Sequence, residues 1–136
     1  MKVKLLEYGV LPKKGRADDA GYDIFIPKNV ILKANSTTVI DSGVCVELPH
    51  GYAGMMVVRS STSQQGIIVQ PPLIDENYRG EIHIIVLNTT NHDISVAAGQ
   101  KICSLVIFPV FNDTLEEVSE LSPSSRGTAW NGSSGK

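Results

Sequence analysis

Short apolar runs separated by turn residues recur along the whole chain, and the alternation within them is that of β-strands rather than helices. Val3 and Leu5 alternate in an opening strand. Further strands are predicted through residues 23–26, 30–32, 37–40, 43–48, 54–58, 66–69, 82–87, 94–96 and 102–108, with a more exposed last one over 115–118. Pro27-Lys28-Asn29, Pro49-His50-Gly51 and Pro71-Pro72 punctuate them. Residues 60–65 suit one helical turn, and no other segment has the spacing of a useful amphipathic helix. Leu73-Ile74, a polar turn and the run from Ile82 read as strand, tight turn, strand, a hairpin in which Asn77 and Gly80 supply the turn angles. The pattern is all-β, a sandwich or barrel, in one domain over residues 1–118.

From Ser119 the chain turns rich in Ser and Gly and loses apolar periodicity, so residues 119–136 are expected to form a mobile arm. That arm carries Arg126, the only tryptophan (Trp130) and Gly132-Ser133-Ser134-Gly135. Composition alone fits a frayed end. The chemistry fits an arm that orders over a ligand, with Arg126 on phosphate, backbone N–H groups of the glycine run around anionic oxygens, and Trp130 over a base. A Walker-type phosphate loop is excluded, because Trp130 stands where its first glycine is required.

Charge narrows the function by exclusion. With 136 residues and a net charge of −2, the chain has no overall field favouring nucleic acid or an anionic membrane, so any anion must be held by locally placed basic groups. No run approaches transmembrane length, and the N-terminus is interrupted by Glu7 too soon for a signal peptide. Cys45 and Cys103 lie in apolar runs and suit buried free thiols in a reducing cytoplasm. His50, His83 and His92 share no ligand spacing, which argues against a structural zinc site.

The chemistry-bearing stretch is Ile74-Asp75-Glu76-Asn77-Tyr78-Arg79-Gly80-Glu81, where an acid and an aromatic three positions apart can enter one cavity. With Ala17-Asp18-Asp19-Ala20-Gly21-Tyr22-Asp23, Arg59-Ser60-Ser61, Ala98-Gly99-Gln100-Lys101-Ile102 and Arg126-Gly127 through Gly135, it forms an ordered set. Together the five resemble the trimeric deoxyuridine triphosphatase (dUTPase) family over nearly the whole chain. The resemblance implies a distorted jelly-roll β fold, a homotrimer with active sites between subunits, and Mg²⁺-assisted hydrolysis of dUTP to dUMP and pyrophosphate. It assigns Asp75 to water activation and Tyr78 to the deoxyribose. Val69, Leu73 and Ile74 fall to the uracil edge, and His83 to the pocket wall. Phosphates fall to Arg59, Ser60, Ser61, Ser104, Arg126, Ser133 and Ser134, base stacking to Trp130, and the metal's water shell to Asp23.

Those assignments make chemical sense. Attack of water on a triphosphate needs charge neutralisation above all, and a positioned carboxylate takes the water's proton. Fixed backbone groups can distinguish uracil from cytosine by leaving mispaired polar groups on the wrong base. The chain departs from the family pattern in four places. Pro72 stands for a usual glycine and Ser104 for a glutamine, Asn131 occupies the arm's aromatic position, and Trp130 comes one residue early. Arg79 and Glu81 suit structural ion pairs, Asp23 alternatively pairs with a lysine, and Gln100 and Lys101 alternatively serve as turn residues. Two other readings use the same scaffold, a dCTP deaminase relative and a non-catalytic, nucleotide-gated regulatory protein.

Overall fold

The computed structural model describes residues 1–128. Its strands are β1 (Lys2–Leu5), β2 (Gly21–Phe25), β3 (Val30–Leu32), β4 (Ser36–Glu47), β5 (Tyr52–Val58), β6 (Ile67–Gln70), β7 (Leu73–Ile74), β8 (Glu81–Asn88), β9 (Ile94–Val96) and β10 (Lys101–Pro109), with one short helix, α1 (Ser60–Ser63). They build two four-stranded sheets, ordered β1-β4-β8-β6 and β2-β10-β5-β7, and a small β3-β9 ladder. All these pairings are antiparallel. The result is the all-β sandwich expected from the strand pattern, in the jelly-roll-like form that the family resemblance implies.

Alternation decides what each strand buries. Along β8, Ile82, Ile84 and Val86 are buried while His83 is exposed. Along β6, Ile67 and Val69 point in while Ile68 and Gln70 point out. The inward set meets Ile24, Met56, Cys103 and Leu105 of the other sheet in one apolar core, and full burial of each such aliphatic side chain contributes about 1.5–3 kcal/mol. Asn88 is a polar member with 0% exposure. Its amide donates to the carbonyls of Leu32 and His92, and its oxygen accepts from the Thr90 N–H and hydroxyl, so both ends of the buried amide are paired.

Three sequence expectations are corrected. Residues 37–40 and 43–48 do not make two strands; 37–40 and 43–47 belong to the single strand β4, which ends at Glu47 and whose register with β8 shifts between Asp41 and Cys45. At the shift, Gly43 has φ +71° and its carbonyl accepts from the Leu6 N–H at 2.8 Å. The predicted hairpin does not pair β7 with β8. Its arms are β6 and β8, in register from Ile67↔Asn88 to Gln70↔Ile85. Pro71-Pro72 has no N–H with which to continue that ladder. The chain therefore leaves the first sheet, and Leu73–Ile74 add to β5 in the second before the loop 75–80 leads back. Finally, residues 115–118 form no strand: an extended segment needs a neighbour for its backbone, and here Leu115 is fully exposed.

A side chain at position 43 meets both a left-handed backbone and the Gly9 backbone packed against it. Gly43→Ala is expected to lower stability by about 2–3 kcal/mol, read as a lower urea midpoint with an unchanged slope.

Candidate active site

Asp75 opens a turn closed by the Tyr78 N–H donating to its carbonyl at 3.1 Å. The Arg79 guanidinium then donates to the carbonyls of Glu76 (2.6 Å) and Tyr78 (2.9 Å), so it serves the loop's own backbone rather than an ion pair. The Tyr78 hydroxyl donates to the Glu81 carbonyl at 2.8 Å, laying the ring over Gly80. There is no room for a side chain beneath it, since a Cβ at 80 would lie 2.6 Å from Tyr78 Cζ. Pro72, Leu73, Ile74, Asp75, Tyr78, Glu81, Ile82, His83 and Ile85 line a cavity of about 210 Å³. Asp75 is an exposed residue of that lining. Of the residues expected on the base side, Leu73, Ile74, Tyr78 and His83 line it, while the Val69 side chain is buried in the core.

A second group sits on the other sheet. Asp23 of β2 faces Ser104 of β10 in register and is 8% exposed. Its carboxylate accepts from the Ser104 hydroxyl at 2.9 Å and from Lys101 Nζ at 2.8 Å. Arg59 Nη1 lies 2.6 Å from Asp23 Oδ1, close enough for an ion pair but without hydrogen-bond alignment, and so remains a buried donor with no hydrogen-bond acceptor. The Arg59 backbone is fixed by its N–H donating to Ile102 at 3.0 Å. Burial pushes the Asp23 pKa up, but Lys101, Ser104 and Arg59 together outweigh it and hold the carboxyl below its ordinary value. Two cations around one anion leave a net positive nest, with Ser60 and Ser61 exposed just beyond Arg59.

The two groups stand at opposite ends of β5. Leu73 and Ile74 pair with Met55 and Gly54, which sets Asp75 beside Ala53, whereas Arg59 follows the last residue of the strand. Six residues of extended chain separate Ala53 from Arg59, about 20 Å at strand rise. None of Asp23, Arg59, Ser60, Ser61 or Ser104 lines the Asp75 cavity.

A third cluster went unseen in the sequence. The β4–β8 register sets Asp41 opposite His83, with His83 Nδ1 3.0 Å from Asp41 Oδ1. Ligand atoms of Asp41, Glu81 and His83 all lie within 4.8 Å of one another. Glu81 is already engaged, accepting from the Tyr8 hydroxyl (3.0 Å) and the Gly43 N–H (2.7 Å), hydrogen bonds rather than the ion pair expected of it. Arg126 is exposed in the segment that follows β10. Trp130, Asn131, Ser133 and Ser134 lie outside the described residues.

The described residues thus form an antiparallel jelly-roll-like sandwich carrying an acid-and-ring pocket and a separate cationic nest. The dUTPase family model matches residues 7–135. The chain is 37% identical to the deoxyuridine 5'-triphosphate nucleotidohydrolase of Clostridium acetobutylicum, over 99% of this chain and 96% of that one. A Staphylococcus bacteriophage 80alpha dUTPase solved with dUpNHpp superposes with a TM-score of 0.91 at 30% identity, covering 99% of this chain and 98% of the phage one. The dUTPase of S. aureus phage phi11, whose structure details the coordination of a structural Mg(II) ion, matches with a TM-score of 0.82 at 26% identity, over 88% and 96% of the two chains. The chain belongs to the dUTPase family.

Asp23→Asn leaves Arg59 and Lys101 without their counter-charge and is expected to lower stability at neutral pH by about 1–3 kcal/mol, discounted because both cations are about one-third exposed. Since the folded carboxyl titrates below the unfolded one, its stabilisation is in place above about pH 4 and is lost as pH falls through the folded value. The stability gap between the two proteins should therefore close in acid, as urea midpoints across pH would show.

Proposed function

We propose that this chain is a dUTP diphosphatase, hydrolysing dUTP to dUMP and pyrophosphate by attack of water on the α-phosphate. The observation that carries the reading is Asp75 and Tyr78 lining one cavity while a cationic nest stands on the same scaffold. The Asp75 carboxylate orients the water and takes its proton, a role worth roughly 10²–10⁴-fold. The Tyr78 ring, pinned by its hydroxyl and by Gly80, lies along the deoxyribose and leaves no space for a 2′-hydroxyl. Backbone groups of residues 71–74 read the uracil edge, and His83 closes the pocket wall.

Arg59 and Lys101 turn from Asp23 toward phosphate, with Ser60 and Ser61 beside them. Ser104 is spent on Asp23 and acts by holding that carboxylate. With both Asp23 oxygens engaged by cations and a hydroxyl, the donor set does not suit direct coordination of Mg²⁺. It suits contact with the water shell of an ion carried in by the substrate, whose phosphates supply most of its ligands. When bound, that ion neutralises charge and orients the phosphates.

Because one chain sets Asp75 and Arg59 about 20 Å apart along a strand, the working site joins two copies, which supports a homotrimer. Outward-facing Val39 and Ile68, 59% and 48% exposed, offer apolar surface for such contacts. Phe111, Leu115 and Leu121, nearly fully exposed, suit the root of an arm, residues 119–136, that brings Arg126, Ser133, Ser134 and Trp130 to a neighbour's phosphates and base. No helix among the described residues is long and apolar enough to cross a membrane. The free thiols of Cys45 and Cys103 support a cytoplasmic setting, with burial pushing the Cys103 pKa up to about 12. A non-catalytic nucleotide switch would have no use for a carboxylate in the pocket wall.

The test is pyrophosphate release against a panel of deoxy- and ribonucleoside triphosphates. dUTP should turn over well ahead of dCTP, dTTP and UTP. Asp75→Asn should lower kcat by about 10²–10⁴-fold while still binding dUTP. Retained turnover in that variant would remove Asp75 from the mechanism.

A further inference from the structure

Asp75 sits at the start of a loop that belongs to neither sheet, yet a water-activating carboxylate must hold its position closely, since a misplacement of about 1 Å can lower the rate on the order of 100-fold. Something outside the loop must fix it. The loop's internal bonds, Tyr78 N–H to Asp75 and Arg79 to two carbonyls, shape it but do not attach it to the body. Beyond the docking of β7 on β5 and the Tyr78 hydroxyl's bond to Glu81 at the start of β8, a further attachment comes from the residue after Asp75. Glu76 Oε2 accepts from the Gly51 N–H at 2.7 Å, and Glu76 Oε1 lies 2.8 Å from His50 Nδ1.

The anchor is rigid. Gly51 has φ +77°, and its turn is closed by the Tyr52 N–H donating to Pro49 at 3.2 Å. The Gly51 carbonyl also accepts from the Val110 N–H at 2.8 Å, extending the β5–β10 ladder beyond Tyr52↔Pro109. A bond to Gly51 is therefore a bond to the end of the second sheet. Of the two partners, Gly51 matters more. The His50 side chain is 93% exposed, where water screens an ion pair, whereas Glu76 is 34% exposed and its bond to the backbone amide is partly buried. That amide first, and His50 second, hold the Glu76 carboxyl below its usual range, so it is ionised at neutral pH.

We propose that Glu76 is a positioning residue for hydrolysis: its carboxylate ties the Asp75 loop to the Gly51 turn and so holds the catalytic acid at the reacting phosphorus. The inference rests on Asp75 being the water-activating acid. It also accounts for the choice of side chain, since a hydroxyl at 76 would be too short to span to the neighbouring turn.

The test compares Glu76→Ala, Glu76→Gln and His50→Ala with Asp75→Asn in the full-length assembled protein. Glu76→Ala should lower kcat at least tenfold with KM within about twofold, because Asp75 acts in the transition state more than in binding. Glu76→Gln, which keeps an acceptor for the Gly51 N–H, should recover most of that loss, and His50→Ala should stay within about twofold of wild type. Hydrogen exchange should quicken over residues 75–79 in the alanine variant and stay unchanged over β5 and β10. Wild-type kcat in Glu76→Ala, with Asp75→Asn inactive, would overturn the positioning role alone, as would a glutamine variant no better than alanine. An active Asp75→Asn would bring down the reading beneath it.

Discussion

A strand cannot bring its own two ends together, and β5 carries half of the chemistry at each end. At one end the β7 residues Leu73 and Ile74 dock on Gly54 and Met55 and deliver Asp75. At the other, β5 pairs Val57 and Val58 with Ser104 and Cys103 and then runs into Arg59. Extended backbone is stiff, so the spacing along β5 is built in. On the proposed reading, assembly then becomes part of the catalytic design, with the water-activating acid and the phosphate-binding cations supplied by different copies.

The phosphate side is arranged by charge that awaits its partner. Asp23 is buried enough to resist ionisation, yet Lys101, Ser104 and Arg59 keep it charged. In return it keeps two cations aligned that would otherwise repel each other. The ion pair of Arg59 Nη1 with Asp23 Oδ1 at 2.6 Å fixes the guanidinium in position. On the proposed reading, an incoming triphosphate competes with Asp23 for cations already gathered at the site, so their charge need not be brought in from solvent.

Most of the strands were legible in the sequence because period-two alternation survives wherever one face is buried, as in β6 and β8. The misreadings fall where pairing is decided at long range. Residues 37–40 and 43–48 looked like two strands because the polar pair Asp41-Ser42 and a glycine with positive φ interrupt the apolar pattern without ending the strand. The Leu73–Tyr78 stretch looked like a hairpin because nothing local tells which sheet will accept a two-residue strand. Site residues followed the same rule. Asp75 and Tyr78 share a loop and were visible as a pair, while the grip of Lys101 and Ser104 on Asp23 and the meeting of Asp41 with His83 depend on register between distant strands. Glu76 was hidden by variety of use: a turn glutamate is unremarked until Gly51 is found beneath it.

Subunit complementation addresses the central claim directly. Asp75→Asn and Arg59→Ala chains, each inactive alone, are mixed in equal amounts, unfolded and refolded together, and assayed for pyrophosphate release from dUTP. If each site takes Asp75 from one copy and Arg59 from another, random assembly restores intact sites and about a quarter of wild-type turnover. Activity no greater than the sum of the two parent proteins would show that both groups serve a site within one chain, and would contradict the account.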